Sequence, residues 1–554
     1  MAKPAILTVD DDPAVLQSIT RDLRKQYGER YQVVPAASGN DALRALDELA
    51  VRGRPVALIL SDQKMPEMDG MAFLGRARSV AATAKLVLLT AYADTDVAIK
   101  SINDLGLHHY LLKPWDPPEE RLYPVLDDLL TSWRRSHPDT ERGIRVVGYR
   151  WSDRSHEIKT FLARNHIHYE WLDVDHNEEA IKLCEAANAM AAAELPLVLL
   201  PDREPLRAPS TRELATALDL HTTADKPLYD LCIVGAGPAG LAGAVYGASE
   251  GLQTVIIEGS APGGQAGQSA RIENYLGFEH GLSGSDLAER AFRQARRFKA
   301  EMVLAREVVG LEARGPVRAV RFDDGSVIEA RTILIASGVS YQRLEAPGLG
   351  EFVNKGVYYG ANATDAPATA GEDVYVVGGA NSAGQAVLNI ARCAKKVVLL
   401  VRSSQLEKGM SQYLVDEIRA KDNIEVRLQS VVIEGRGGDH LEELTLADHS
   451  KGGTQEVVKT NWLFVFVGAV PRTDWLPAEV ARDERGFVVT GQDLRSRTPR
   501  ESWPLSRDPF TLETSIPGVF AAGDVRLDSM KRVASAVGEG AMAVHLVHRY
   551  LETM

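Results

Sequence analysis

Cysteine is scarce in this chain of 554 residues, which has only Cys184, Cys232 and Cys393. They lie too far apart in sequence to form a Cys-x-x-Cys pair or a set of metal ligands, which excludes a disulfide scaffold and a zinc module. Any redox chemistry must therefore proceed without a local pair of thiols. We expect Cys393 to be a small buried residue of the helix that follows a glycine-rich turn.

Basic runs and long apolar segments are also missing. The chain has 63 Lys and Arg against 76 Asp and Glu, a net charge of −13, and no basic run that would attract nucleic acid or an anionic membrane. The N-terminus has no apolar signal segment, and the uncharged stretch 231–249 fits a strand, a turn and a helix rather than a membrane span. We expect a cytoplasmic protein that binds neither nucleic acid nor membrane.

Apolar runs alternate with segments of helical periodicity almost throughout, which is typical of α/β folds with parallel strands. Polar junctions at residues 134–143 and 221–227 each precede a new strand. We place domain boundaries there. They predict one domain over 1–135, a second over 143–221 and a third region from 226 to 554, which is long enough for two nucleotide-binding lobes.

Four strands of the first domain end in polar residues. Asp10 and Asp11 follow AILTV, Asp62 ends VALILSD, Thr90 ends KLVLLT and Lys113 follows HHYLL. Because parallel strands end at one edge of a sheet, we expect these side chains to converge. The carboxylates suit Mg²⁺, and the hydroxyl and ammonium groups would stabilise a phosphoryl group on Asp62. The alternative is four unrelated strand ends with solvated charges.

The motifs VDDD, SDQKMPEMDG, LLTAYAD and YLLKPWD resemble those of response-regulator receiver domains, over the whole first domain. The resemblance implies a flavodoxin-like fold with Asp62 as the phospho-acceptor and a cognate histidine kinase as partner. It further implies Asp10, Asp11 and Asp62 as Mg²⁺ ligands, Thr90 and Tyr110 as the switch pair, and Lys113 as the lysine that contacts the phosphoryl group.

The second domain resembles the glutaredoxin and thioredoxin family in its order of strands and helices, with Pro196 in the place of that family's cis proline. The redox Cys-x-x-Cys of the family would fall at Ser152, Asp153, Arg154 and Ser155. Serine has no disulfide chemistry, so we interpret the domain as a structural or docking module. A site that uses the two hydroxyls is the alternative.

The third region opens with a dinucleotide fingerprint. Residues 229–258 form a strand–turn–helix–strand pattern with Gly235, Gly237 and Gly240 in the turn. Glycines at these positions allow a pyrophosphate to approach the N-terminus of the helix. Glu258 ends the second strand, where a carboxylate accepts hydrogen bonds from ribose hydroxyls. The pattern predicts a dinucleotide site.

A second fingerprint, VYVVGGANSAGQA, has Gly378, Ala380 and Ala383 at the three special positions. The methyl group of Ala380 is expected to weaken or shift pyrophosphate binding. Arg402 ends the next strand, and with Lys408 it suits a 2′-phosphate, which favours NADPH over NADH; the alternative is a solvated basic strand end. The candidate NADP residues are Gly378, Asn381, Ser382, Ala383, Arg402 and Lys408.

Residues 226–554 resemble the low-molecular-weight thioredoxin reductase family of flavoproteins. The first fingerprint, GGQ at 263–265, IENY at 272–275, ASG at 336–338, GVFAAGDV at 518–525 and the closing KRVASAVGEGAMA carry the resemblance. It implies a homodimer with an FAD lobe over 226–345 and 465–554 and an NAD(P) lobe over 346–464, both of the Rossmann type. The implied FAD-binding residues are Gly235, Gly237, Gly240, Glu258, Gly264, Gln265, Asn274, Gly338, Gly523, Asp524, Arg532 and Val533.

The chain departs from that family at the redox site. Members that reduce thioredoxin have Cys-x-x-Cys just before the second fingerprint, where this chain has Ala361, Asn362, Ala363 and Thr364. Flavin electrons therefore have no internal disulfide to reduce, and we assign no catalytic residue.

We predict a two-component response regulator whose output is an FAD-dependent NAD(P)H oxidoreductase, coupled to phosphorylation of Asp62. Its electrons would pass to an acceptor such as ferredoxin, a quinone or oxygen. The alternative is a signalling module that binds FAD and NADP(H) without turnover. A third interpretation, thioredoxin reductase activity proper, conflicts with the two missing cysteine pairs.

Overall fold

The computed structural model describes residues 3–28, 30–51, 54–81, 83–90, 107–135, 143–201, 203–361, 365–497 and 503–554. The chain divides into two compact units, Met1–Ile144 and Arg145–Met554. The second predicted domain therefore belongs to the same unit as the third region. None of the described helices combines the length and apolar content needed to cross a bilayer.

The first unit is built on a parallel five-stranded sheet, which confirms the predicted α/β class. Its strands are Ala5–Val9 (β1), Gln32–Ala36 (β2), Val56–Asp62 (β3), Lys85–Thr90 (β4) and His109–Leu112 (β5), in the order β2-β1-β3-β4-β5. Its helices are Pro13–Tyr27 (α1), Gly39–Val51 (α2), Gly70–Val80 (α3), Pro118–Arg121 (α4) and Tyr123–Arg135 (α5). Strands β1 and β3 are buried along their whole length. Strand β2 was not predicted, because Pro35 interrupts its apolar pattern, and an edge strand tolerates this proline.

Residues 144–221, the middle domain, form a four-stranded sheet in the order β7-β6-β8-β9. Its strands are Ile144–Gly148 (β6), Tyr169–Asp173 (β7), Leu197–Leu199 (β8) and Leu206–Arg207 (β9), and its helices are Asp153–Arg164 (α6), Glu178–Ala186 (α7) and Thr211–Ala217 (α8). The Leu195–Pro196 bond is cis. The order of elements is the predicted one with the short strand β9 added, and the assignment to the thioredoxin family stays a prediction.

The next segment begins a larger sheet. Its strands are Tyr229–Val234 (β10), Thr254–Glu258 (β11), Glu301–Leu304 (β12), Val308–Arg314 (β13), Val317–Phe322 (β14) and Val327–Ile335 (β15), in the order β12-β11-β10-β15-β14-β13. Its helices are Pro238–Ser249 (α9) and Gly284–Arg297 (α10). A short strand, Val339–Ser340 (β16), leads out of it.

A second Rossmann-type lobe follows, with a parallel sheet in the order β17-β24-β18-β19-β20 and an antiparallel sheet in the order β21-β22-β23. Its strands are Val357–Tyr359 (β17), Asp373–Val377 (β18), Lys396–Val401 (β19), Ile424–Leu428 (β20), Ser430–Gly437 (β21), Leu441–Asp448 (β22), Thr454–Lys459 (β23) and Leu463–Val465 (β24). Its helices are Asp365–Ala368 (α11), Asn381–Ile390 (α12) and Gln412–Arg419 (α13).

The C-terminal segment returns to the larger sheet. It contains Val470–Pro471 (β25), Asp493–Arg497 (α14), Val519–Ala521 (β26) and Val533–Leu551 (α15). Strand β25 pairs with β16, and β26 pairs in parallel with β15 as the seventh strand. We refer to residues 226–345 and 466–554 as lobe 1 and to residues 346–465 as lobe 2.

A buried carboxylate fixes the C-terminal segment of lobe 1. Glu513 is fully buried, and its two oxygens accept hydrogen bonds from both terminal nitrogens of Arg507 at 2.7 and 2.8 Å. The same oxygens accept bonds from the backbone N–H groups of Phe510 and Gly518. Four donors thus depend on this one side chain.

We expect Glu513→Ala to lower the free energy of unfolding of the full chain by about 2–4 kcal/mol, because it leaves the partly buried Arg507 guanidinium without its carboxylate partner and two backbone amides without an acceptor. Glu329→Ala removes an exposed carboxylate of the same lobe, which pairs with Arg314 at 3.3 Å, and is expected to cost about 0–1 kcal/mol. Denaturant unfolding followed by tryptophan fluorescence makes the comparison. Equal midpoints for the two variants would contradict the assignment.

Candidate functional site

The acidic residues predicted in the first unit meet at the end of its sheet. Carboxylate oxygens of Asp10, Asp11 and Asp62 lie within 4.8 Å of one another. The Lys113 Nζ atom lies 2.6 Å from Asp10 Oδ2 and 2.5 Å from Asp62 Oδ1. The backbone N–H of Lys113 donates to the Thr90 carbonyl at 2.8 Å. Thr90 therefore lies at the same edge of the sheet.

The electrostatics of this cluster suit a divalent cation. Burial raises the pKa of Asp10, and this outweighs the opposing effects of Lys113 and the Asp12 amide. Burial alone would lower the pKa of Lys113, but its bonds to Asp10 and Asp62 raise the net value. Lys113 is therefore charged at neutral pH. The single ammonium group of Lys113 does not balance the charge of three carboxylates. The oxygens of these carboxylates could therefore hold Mg²⁺. Tyr110 lies on the adjacent strand β5, opposite Leu88, and is half-buried.

The first glycine turn has the geometry of a nucleotide site. A Cβ atom on Gly235, whose φ is +104°, would lie 2.4 Å from the Ala336 carbonyl oxygen, and one on Gly240 would lie 1.9 Å from the Gly235 carbonyl oxygen. These two positions are restricted to glycine by the packing of the protein itself. A Cβ atom on Gly237 would meet only the Gly264 Cα, at 4.0 Å. The space at Gly237 is therefore available to a ligand.

Glu258 is held at the wall of the same cavity. Its Oε2 accepts a hydrogen bond from the backbone N–H of Ala236 at 2.9 Å, and its Oε1 accepts one from the backbone N–H of Ser260 at 3.0 Å. These two bonds fix the carboxylate and leave lone pairs for the hydroxyls of a ribose. The residues present fit a dinucleotide.

Most of the predicted FAD residues line this cavity, namely Gly235, Gly237, Glu258, Gly264, Gln265, Gly338, Gly523, Asp524, Arg532 and Val533. Two do not. Gly240 packs inside the turn, where it permits the close approach described above, and Asn274 lies on an exposed loop at 273–281. Burial raises the pKa of Asp524, whose carboxylate accepts a hydrogen bond from Ser529.

The second fingerprint faces the same cavity. Ser382, Gln385, Ala386 and Asn389 of helix α12 line it together with Ala361. The segments predicted to bind two different dinucleotides thus converge on one space.

The remaining predicted NADP residues lie outside the cavity. Gly378 adopts φ +153°, and a Cβ atom there would lie 2.8 Å from the Ala383 Cβ. The Asn381 side chain donates to Ser411 Oγ at 3.0 Å and accepts from the Ser411 backbone N–H at 2.8 Å. Arg402, directly after β19, and Lys408 are exposed.

Two of the three thiols are unsuited to redox chemistry, and the third is a single exposed thiol. Cys184 and Cys232 are buried, and burial raises the pKa of both. The expectation for Cys393 was wrong: helix α12 ends at Ile390, so Cys393 lies beyond it and is exposed. Of the two positions where the resemblance led us to expect cysteines, Ala361 lines the cavity, and Thr364 lies outside the described residues.

In the middle domain, Ser152 and Ser155 have structural roles. The Ser152 hydroxyl accepts a hydrogen bond from the Ser155 backbone N–H at 3.3 Å and so caps helix α6, and Ser155 is fully buried. Lobe 2 covers this face. The Trp151 ring stacks on the His440 ring with centroids 4.6 Å apart, and Arg150 donates to the Ala368 carbonyl at 2.8 Å.

Several lining residues of the cavity were not identified from the sequence, among them Arg164, Tyr341 and Arg472. None of these three belongs to a fingerprint segment. Arg164 even comes from the middle domain, and it reaches the cavity only because that domain packs against lobe 1. No sequence signal indicates this contact.

One unit has an acidic site suited to a phosphoryl group, and the other has two dinucleotide segments around one cavity. Together they define a protein that joins a receiver to a nucleotide-dependent oxidoreductase. Family profiles agree. The profile described as "Pyridine nucleotide-disulphide oxidoreductase" matches residues 229–540, and that of the "Response regulator receiver domain" matches residues 6–122.

Individual relatives are similar over the oxidoreductase part. The chain is 32% identical to a thioredoxin reductase of Treponema pallidum over 327 residues, which are 59% of this chain and 98% of that protein. It is 30% identical to the F component of the alkyl hydroperoxide reductase of Staphylococcus epidermidis over 331 residues, 60% of this chain and 61% of that protein. A crystal structure of Lactococcus lactis thioredoxin reductase (FR conformation) aligns with TM-score 0.52 and 27% identity over 59% of this chain and 100% of that chain.

The chain belongs to the pyridine nucleotide-disulphide oxidoreductase family and carries a response-regulator receiver domain. It is an FAD-dependent NAD(P)H oxidoreductase of the thioredoxin reductase-like type. The predictions of fold class and enzyme class are confirmed.

We expect Gly237→Ala to weaken FAD binding roughly tenfold to a hundredfold, because the new methyl group would occupy space that only the ligand uses. The φ of −73° at Gly237 suits alanine, so the thermal stability of the apoprotein should be unchanged or slightly higher. Gly538→Ala, whose Cβ would meet no atom within 4 Å, is the matched control. Fluorescence titration of the apoprotein with FAD measures the effect, and equal affinities for parent and Gly237→Ala would contradict it.

Proposed function

We propose that this chain is a two-component response regulator whose output is an NADPH oxidoreductase that delivers electrons to an acceptor other than a disulfide of its own. Phosphorylation of Asp62 is coupled to that activity. One observation carries the proposal: Gly237 and Glu258 of the first fingerprint and Ser382 of the second line a single cavity, and none of its described lining residues is a cysteine.

Residues of both lobes would hold the nucleotides. The turn at Gly237 and the N-terminus of helix α9 leave room for a pyrophosphate, and Glu258 would accept bonds from ribose hydroxyls. Ser382 and Asn389 line the same cavity and are the proposed contacts of a nicotinamide nucleotide. FAD, when bound, supplies a centre that accepts a hydride and releases electrons. Arg402 and Lys408 are the proposed contacts of a 2′-phosphate, because they are exposed basic groups at the end of strand β19.

The surroundings of residues 361–364 support a non-disulfide acceptor. Thiol–disulfide exchange needs an attacking thiolate beside the flavin, and Ala361 has none to offer. The middle domain also contacts lobe 2 at described residues before and after these positions in sequence: the His156 ring lies 4.9 Å from the Tyr358 ring, and Arg150 donates to the carbonyl of Ala368. Burial lowers the pKa of His156 to about 4, so this contact is uncharged at neutral pH. An external thioredoxin would have to displace it.

The receiver implies a histidine kinase as the source of phosphate. Mg²⁺ held by Asp10, Asp11 and Asp62 would neutralise the phosphoryl oxygens together with Lys113. For the acceptor, we propose ferredoxin, a quinone or oxygen, since each takes electrons directly from a reduced flavin. We further propose a homodimer, as in the related reductases.

We expect anaerobic mixing with NADPH to bleach the flavin faster than mixing with NADH. Arg402→Ala should remove this preference, at a cost of roughly 1.5–3 kcal/mol in NADPH binding, the range for a charge-assisted hydrogen bond. Arg392→Ala, at another exposed arginine of lobe 2, should leave the preference intact. Flavin that stays oxidised with both nucleotides would contradict turnover and favour a ligand-binding module.

We expect no NADPH-dependent reduction of thioredoxin by a preparation whose flavin NADPH does reduce, because no thiolate lies beside the flavin. The assay compares the parent with a variant in which Cys184, Cys232 and Cys393 are all serine. Activity in the parent that disappears in the triple variant would show that distant cysteines act together, and the cysteine-independent account would then be wrong.

We expect a small phosphodonor with Mg²⁺ to modify Asp62 alone, because Lys113 and the partner carboxylates lie beside it. Asp10 also contacts Lys113, but its side chain is only 1% exposed against 12% for Asp62. Asp62→Asn should abolish phosphate uptake. Asp69→Asn is the control, since Asp69 is an exposed cap of helix α3 and asparagine caps equally well. If phosphorylation is coupled to the flavoprotein, it must also change the affinity for NADPH in the parent and not in Asp62→Asn. Normal phosphate uptake by Asp62→Asn would disprove the assignment.

A further inference from the structure

Helix α6 of the middle domain connects the two lobes. At its N-terminal end, Asp153 accepts a hydrogen bond from Asn354 of lobe 2 at 2.5 Å. At its C-terminal end, Asn165 donates to the Ser260 carbonyl of lobe 1 at 3.2 Å. The loop that follows strand β11 is therefore held by a neighbouring domain. This loop includes Gly264, which lines the nucleotide cavity.

Arg164, the last residue of helix α6, reaches into that cavity. Its Nη2 donates to the carbonyl oxygens of Ala261 at 3.3 Å and Gly264 at 3.1 Å. Its other N–H groups, on Nε and Nη1, have no acceptor among the described residues. A guanidinium group has five N–H donors and stays charged. Arg164 can therefore donate further hydrogen bonds to a ligand at the wall of the cavity.

The surroundings of Arg164 indicate which part of a dinucleotide it would meet. Burial lowers the pKa of Arg164, and the nearby Glu258 carboxylate opposes this change. The next residue, Asn165, donates to the Ser260 carbonyl, and the Ser260 N–H donates to the Glu258 carboxylate at 3.0 Å. Because Glu258 is the residue proposed above to bind ribose, this end of helix α6 lies on the adenosine side of the cavity. A guanidinium group there could stack on the adenine ring or donate to oxygens of the ribose and the phosphates.

We propose that Arg164 of the middle domain binds the adenosine half of the FAD held by lobe 1. This inference rests on the proposed FAD site. It makes the middle domain part of that site, so FAD binding and the docking of helix α6 stabilise each other, because linkage between two equilibria is reciprocal. The domain then has a binding role that does not require the missing cysteines.

The test compares Arg164→Ala, Arg164→Lys and the parent as full-length apoproteins, with FAD and ADP as separate ligands. ADP carries the adenosine half without the flavin. We expect Arg164→Ala to weaken both FAD and ADP roughly tenfold to a hundredfold, and Arg164→Lys to weaken both less. Arg203→Ala is the control, because Arg203 is an exposed residue of the same domain paired with Asp219, and it should bind both ligands like the parent.

Unchanged FAD affinity in Arg164→Ala would overturn the inference and leave the proposed function intact, whereas failure of the parent to bind FAD would refute both. Loss of FAD affinity without loss of ADP affinity would also overturn it, since Arg164 would then act elsewhere than on the adenosine half.

Hydrogen exchange of the parent provides a second measurement that does not depend on how the variants fold. Saturating FAD should slow amide exchange at the C-terminal end of helix α6, around residues 160–166, because FAD and the docked helix stabilise each other. Residues 178–186 of helix α7, in the same domain, serve as the internal reference. Equal exchange at the end of α6 with and without FAD would overturn the inference.

Discussion

The nucleotide site depends on how closely helix α9 approaches strands β10 and β15. A side chain at Gly240 would collide with the Gly235 carbonyl at 1.9 Å, and one at Gly243 would lie 2.8 Å from Leu334. Only a helix without these side chains can pack this closely, and its N-terminus then points at the space beside Gly237. The same packing fixes the position of the Glu258 side chain. Its carboxylate accepts a hydrogen bond from the backbone N–H of Ala236, which lies in the glycine turn.

The chain has no Cys-x-x-Cys pair, and this limits the chemistry that the framework can carry out. In a protein that passes electrons through a disulfide, the segment before the second fingerprint must be free to react. Here the middle domain packs against lobe 2, with Trp151 stacked against His440 and Ser152 acting as a helix cap. The contacts are those of a docked domain. The chemistry that we propose is transfer between nucleotides bound in the shared cavity and then to an outside acceptor.

Local patterns predicted much of this arrangement. The acidic cluster followed from strand ends at Asp10 and Asp62, because parallel strands end at one edge. The expectation for Cys393 failed because helix α12 is only 10 residues long, and no pattern in ARCAKK indicates its end. Arg164 could not be predicted at all. Its place in the cavity depends on how two domains pack, and such packing is encoded in surfaces far apart in sequence.

The central claim is that flavin is the only redox centre of this oxidoreductase. Anaerobic reductive titration of the purified holoprotein with dithionite, followed by the flavin absorbance and a thiol count at the end point, tests it most directly. We predict complete bleaching after two electrons per FAD, with the same number of thiols before and after, because no disulfide takes part. An end point at four electrons per FAD with two new thiols would contradict the account.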